Sequence, residues 1–159
     1  MSSNRILSRL SREDLALLEP HLEAVDLPAR KSLEKRKKRI EQVYFIESGF
    51  ASVVANGTSK PSIEVGIIGR EGMTGLAVVL GHDRAQHDTF IQLPGKGMRM
   101  TVDSFREAQD RSVSLHRELL RYANAFLMQT TTTRRARVTI LGRKALEKRC
   151  NGAYVPPEG

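Results

Sequence analysis

Tryptophan is absent from this 159-residue chain, cysteine occurs once, and aromatic residues make up only 5% of it. With Cys150 alone, no disulfide can close within one chain. Cysteine-ligated iron–sulfur clusters and Cys-rich zinc sites are excluded by the same count. No apolar run approaches the ~18–20 residues that a membrane span needs. The opening residues, MSSNRILSRLSRED, mix acids and bases without an uninterrupted apolar stretch, so they do not read as a secretory signal. A cytoplasmic protein is the simplest reading. The four histidines, His21, His82, His87 and His116, include no His-x-His with a following acid. No Ser–His–Asp, Cys–His or paired-carboxylate constellation can be argued from spacing.

What is present is ordinary for a globular chain: 40% apolar and 28% charged residues, enough for one domain with one extra long element. The charge is uneven. The net is +8, and the segments Arg30–Arg39 and Arg134–Arg149 each hold seven bases and one acid. The rest of the chain is therefore net acidic. Two basic islands could serve a polyanion or be solvated surface. No aromatic residue interleaves either, so base stacking on single strands has no support.

In chain order, a short helix is expected around Ile6 to Leu10. Ser11-Arg-Glu-Asp14 then caps a second helix, with acids in its positive first turn. From Ala24 the period changes toward strands. Val43-Tyr-Phe-Ile46, Phe50–Val54, Ile63–Ile68, Thr89–Leu93 and Met98–Val102 are short and separated by turn signals, among them Asn56-Gly57 and Pro94-Gly95. This spacing predicts an antiparallel sandwich or barrel. Within it, Gly66, Gly69, Gly72 and Gly75 lead into the apolar segment Leu76–Leu80. Strand, glycine turn and short helix can cradle an anion or simply dock a helix on a sheet. The residues match neither a P-loop nor Gly-x-Gly-x-x-Gly.

The pattern then turns helical. Asp103 or Ser104 is expected to cap a short helix, and Ser112 or Ser114 a long one. Leu115, Leu119, Tyr122 and Phe126 step by four, three and four, continuing through Gln129, Thr133, Ala136 and Ile140. That heptad-like seam predicts pairing with a second copy, with Leu120 and Leu127 widening the face to cover the strand domain. Three regions follow: residues 1–111 as the strand domain with its N-terminal helices, 112–141 as the dimerisation helix, and 142–159 as a basic tail.

Val43-Tyr-Phe-Ile-Glu-Ser-Gly49 together with Gly69-Arg-Glu-Gly-Met-Thr-Gly75-Leu76 resembles the sensor half of the Crp/Fnr regulators, a cyclic-nucleotide-binding-like domain. Leu7–Leu15 is similar to that family's lead-in. The resemblance covers about Arg5 to Thr133. It implies a mainly β fold with helices, a cyclic-nucleotide-binding-like β-jelly roll plus a long C-terminal dimerisation helix. It further implies a ligand pocket of Gly72, Met73, Thr74 and Gly75, with Arg84 and Ala85 as the phosphate arginine and its small neighbour. Thr130 and Thr131 would then face the base. Two departures stand out. Met73 occupies the family's ribose-glutamate position, and a thioether is a poor acceptor, so the site reads as degenerate. Eighteen residues follow Leu141, too few for a helix-turn-helix reader, so truncation is expected.

Three readings compete. The first is a non-enzymatic, ligand-sensing regulatory domain that forms a homodimer or pairs with a full-length Crp/Fnr-like relative. No cofactor is fixed by the residues, and a cyclic nucleotide is the one that the resemblance allows. The second is sequence-tolerant DNA or polyanion contact through Arg134, Arg135, Arg137, Arg143, Lys144, Lys148 and Arg149. The third is a metal-binding cupin-like enzyme. A haem sensor would draw on His82 or His87.

Overall fold

A computed structural model describes residues 2–55 and 63–136, with the side chains of 131–136 excepted. Asn56-Gly57 and residues 137–159 lie outside the described residues, as do the side chains of Thr131 and Thr133.

Three short helical segments open the chain. Helix α1 is Arg5–Arg9 and α2 is Arg12–Leu18, followed by a 3-10 turn at Glu19–His21 where Pro20 ends α-helical geometry. The Ser11 Oγ accepts the Asp14 amide at 3.1 Å, the cap expected from the sequence. Asn4 caps α1: its Oδ1 accepts the amides of Ile6 and Leu7 at 3.0 and 3.3 Å.

Seven strands follow in two antiparallel sheets: β1 Glu23–Leu27, β2 Ser32–Glu34, β3 Gln42–Ile46, β4 Phe50–Ala55, β5 Ile63–Ile68, β6 Asp88–Leu93 and β7 Gly95–Thr101. One sheet runs β1-β7-β3 and the other β2-β6-β4-β5. Non-sequential neighbours in both sheets give the jelly-roll arrangement. Strand β2 lies inside the first basic island. It pairs with β6 across a register shift between Ser32 and Glu34.

Strand β3 explains why Val43-Tyr-Phe-Ile46 does not alternate apolar with polar: both of its faces are covered. Val43 and Phe45 point into a core shared with the helices, where Leu7, Leu18, Met73, Phe105, Leu115 and Leu119 also lie. Tyr44 and Ile46 point into a second core between the sheets, with Leu27, Val53, Val65 and Ile91. Helix α3, Leu76–Val79, sits between β5 and β6, and α4, Val102–Arg111, follows β7. The cap of α4 is Thr101 rather than Asp103 or Ser104. Thr101 closes β7 and still has extended backbone, so its Oγ1 reaches the Ser104 amide at 3.2 Å. Helix α5, Val113–Ala136, is capped by Ser112, whose Oγ accepts the Leu115 amide at 3.1 Å.

Candidate functional site

The glycine turn is fastened on three sides. The Thr74 amide donates to the Tyr44 carbonyl at 2.9 Å, and the Thr74 Oγ1 accepts the Tyr44 amide at 3.0 Å. The fully buried Asn4 side chain donates from Nδ2 to the carbonyls of Ile46 and Gly72, at 2.7 and 2.8 Å. From α5, the Tyr122 hydroxyl donates to the Met73 carbonyl at 2.9 Å. Burial raises the Tyr122 pKa well above the ordinary phenol value, so it stays a neutral donor.

Two of the glycines have specific tasks. Gly75 caps α3 in the left-handed region, φ 84°, which a side chain would strain. At Gly72 a Cβ would lie 2.6 Å from the Tyr122 Oη, so the missing side chain is what lets α5 close on the turn.

A cavity of about 430 Å³ opens between this turn, β6 and α5. Its walls are largely apolar, with Val53, Ile68, Met73, Leu76, Leu80 and Phe126 among them. Thr74, Gly75, Ala85 and Thr130, four of the residues singled out in the sequence, also line it. Gly72 does not, being covered by Tyr122. Met73 is fully buried, and its backbone bridges to Phe45. Arg84 is not at the cavity wall. Its guanidinium is exposed and donates to the Lys37 carbonyl at 2.9 Å, while its backbone bridges to Arg39.

A residue that sequence reasoning passed over holds the centre of the site. Glu34, the lone acid of the first basic island, lines the cavity, and its Oε1 accepts the Gly75 amide at 2.6 Å. The Thr89 hydroxyl reaches Oε2 at 3.5 Å. Thus the amide at the start of α3, where the resemblance puts a phosphate, is already bonded to a carboxylate of the chain itself. Burial pushes the Glu34 pKa up; the bonds from Gly75 and Thr89 oppose this without overcoming it.

The dimer seam needs correction. Leu115 and Leu119 are fully buried and Phe126 is 7% exposed, all within their own domain. Tyr122 is committed to Met73, and Gln129 lines a groove beside α1. The four–three period marks the face of α5 that covers its own domain. The residues read as widening that face are the ones left outside: Leu120 is 41% and Leu127 44% exposed, with Val113 at 76%.

Among the described residues, no three His, Cys, Asp or Glu side chains converge as a metal group. No described helix is long and apolar enough to cross a membrane.

No family model matches the chain, and no curated protein matches it in sequence. Solved structures do match in fold. The regulatory domain of Toxoplasma gondii protein kinase A, crystallised with cAMP, has a TM-score of 0.62 at 19% identity; 78% of this chain and 47% of that one are covered. The c-di-GMP-responsive global regulator CLP of Xanthomonas campestris gives 0.63 at 14% identity, covering 82% and 66%. The N-terminal domain of a Streptomyces coelicolor transcriptional regulator gives 0.56 at 15% identity, with 99% and 97% covered. The chain thus spans about half of the first structure and two thirds of the second. Its fold is that of the cyclic-nucleotide-binding domains, shared with Crp/Fnr-type sensor halves.

Proposed function

We propose that this chain is a non-enzymatic, dimeric sensor module of the Crp/Fnr type whose cassette no longer takes a cyclic phosphate in the usual way. The observation that carries the reading is the Glu34 carboxylate on the Gly75 amide. A phosphate brought to that amide would lie about 4 Å from a like charge, which costs on the order of 4 kcal/mol at the edge of a protein. That is about three decades of affinity. Met73 supplies no acceptor for a ribose hydroxyl, and Arg84 is bonded elsewhere. Thr131 belongs to the same proposed pocket by its place on α5.

The sensor role is supported by connectivity. The cavity is walled at once by the cassette and by Tyr122, Phe126 and Thr130 of α5, so whatever fills it bears on the helix. Along the outer face of α5, Val113, Arg117, Leu120, Asn124 and Leu127 repeat at four and three residues, with the apolar members exposed. This stripe, in place of the buried one, is the surface offered to a second copy or a full-length relative. The polar Asn124 in the middle suits a two-stranded pairing.

Light scattering on the full chain tests the dimer, and calorimetry with cAMP and cGMP tests the altered cassette. The expected results are a dimer mass, lost in a Leu120→Ser/Leu127→Ser double variant, and no saturable heat from either nucleotide. A chain that is monomeric at every concentration, or one that binds either nucleotide tightly, would overturn the reading.

A further inference from the structure

The cavity keeps the size of a small-molecule site while its electrostatics have changed sign, and this deepens the sensor reading on which it rests. About 430 Å³ is within the range that holds a drug-sized ligand. No lysine or arginine is among the described residues that line it. The one acidic residue there, Glu34, stands at the wall formed by β2, the start of α3 and β6. A carboxylate has about four acceptor positions, and the Gly75 amide and Thr89 hydroxyl engage two of them. The remaining walls near it are apolar, from Met73, Leu76 and Leu80 to Phe126. Burying a carboxylate in such surroundings is unfavourable unless a positive or donating group joins it. A cation placed there would relieve the desolvation that raises the Glu34 pKa.

We infer that this cavity binds an organic monocation, a protonated amine on a compact apolar body, with the ammonium against Glu34 and the body among Met73, Leu76, Leu80 and Phe126. An anionic ligand is disfavoured by the same carboxylate. A neutral ligand of the same shape keeps the apolar contacts and loses the charge-assisted hydrogen bond. Thr130 lies on the α5 side of the cavity, so the occupied site remains coupled to the helix.

Three isosteric probes separate the possibilities on the unmodified chain: 2-phenylethylamine, 2-phenylethanol and phenylacetate, titrated by ligand-observed NMR and calorimetry. The amine is expected to bind about tenfold tighter than the alcohol, the gain of one hydrogen bond to a charged group, and phenylacetate more weakly than either. In Glu34→Gln, the amine and the alcohol should bind alike. Phenylacetate equal to or tighter than the amine, an alcohol as tight as the amine in the unmodified chain, or no binding by any probe would each overturn the proposal. So would an amine preference that survives in a folded Glu34→Gln. Because the comparison among probes needs no variant, a Glu34→Gln chain that fails to fold does not decide it. The dimer mass reports separately on the sensor reading, so the two can fail independently.

Discussion

The Tyr122 hydroxyl reaches from α5 to the Met73 carbonyl at 2.9 Å, directly over the position where Gly72 has no side chain. One aromatic residue therefore fixes the distance between the glycine turn and the long helix. Tyr122→Phe keeps the ring and leaves the carbonyl without this donor, a loss of about 1–3 kcal/mol, read as a lower denaturant midpoint. Gly72→Ala drives a Cβ into the same hydroxyl and is expected to cost a similar amount. Combined, the two changes should cost less than their sum, because the phenylalanine removes the atom nearest the new methyl. A strictly additive double-mutant cycle would show that the two residues do not bear on each other.

The raised pKa of Glu34 has a definite sign in stability. Its folded value lies above its unfolded one, so its contribution is fully present below the ordinary glutamate range and is lost as pH rises through the raised value. Ionised Glu34 thus weighs against the fold at neutral pH. Glu34→Gln keeps an oxygen that can accept the Gly75 amide and removes the charge. It should be at least as stable as the parent at neutral pH and lose part of the decline above the glutamate range. Chemical denaturation across that window checks this; a variant less stable than the parent only at neutral pH would contradict it.

How much of this was legible in the sequence depends on how locally each feature is encoded. The glycine turn and the short strands around it are marked by residues a few positions apart, so the jelly roll and the cassette follow from spacing. Glu34 could not be placed that way, since its partner Gly75 is 41 residues on. The available signal was its being the sole acid among seven bases, beside Leu33 in a short alternating stretch. The helix seam misled for a different reason. A four–three apolar period states that one face is covered, and it is silent on whether the cover is a partner or the chain's own domain. Exposure of Leu120 and Leu127 decides that question, and exposure is not written in the period.

Asn4 ties the first helix to the cassette through four hydrogen bonds, two as a cap and two to the carbonyls of Ile46 and Gly72. Asn4→Ala forfeits the cap and strands both carbonyls, a combined cost of about 2–4 kcal/mol. Asn4→Asp retains the cap acceptor while losing the Nδ2 donor and placing a buried charge near two carbonyls, so it should be no better than alanine. Thermal unfolding distinguishes these. An aspartate variant close to the parent would show that the bonds to Ile46 and Gly72 contribute little.

Asp14 makes the acid side of the stability curve. It is buried, which by itself raises its pKa, but hydroxyls of Ser112 at 2.5 Å, Ser114 at 2.7 Å and the nearby Ser11 outweigh that and hold the value down. A lowered folded pKa contributes stability above the unfolded value that is lost as pH falls through the folded one. The contact joins α2 to the start of α5, so acid should loosen that junction first. Asp14→Asn is expected to cost about 1–3 kcal/mol at neutral pH and to flatten the acid slope. Identical acid slopes in the two proteins would assign the loss to other carboxylates.

Lys37 adopts φ 66°, a conformation that suits glycine, within the basic turn whose amide donates to the Ala85 carbonyl at 2.9 Å. A side chain there costs about 1–2 kcal/mol. Lys37→Gly relieves this while keeping the carbonyl that receives the Arg84 guanidinium. Part of the gain is offset by the greater freedom of glycine in the unfolded chain. The expected net is a stabilisation of about 0.5–1 kcal/mol. Lys37→Ala, which keeps a Cβ at the same φ, should show none of it. If alanine stabilised as much as glycine, removal of positive charge from the crowded island would be the cause, and the backbone argument would be wrong.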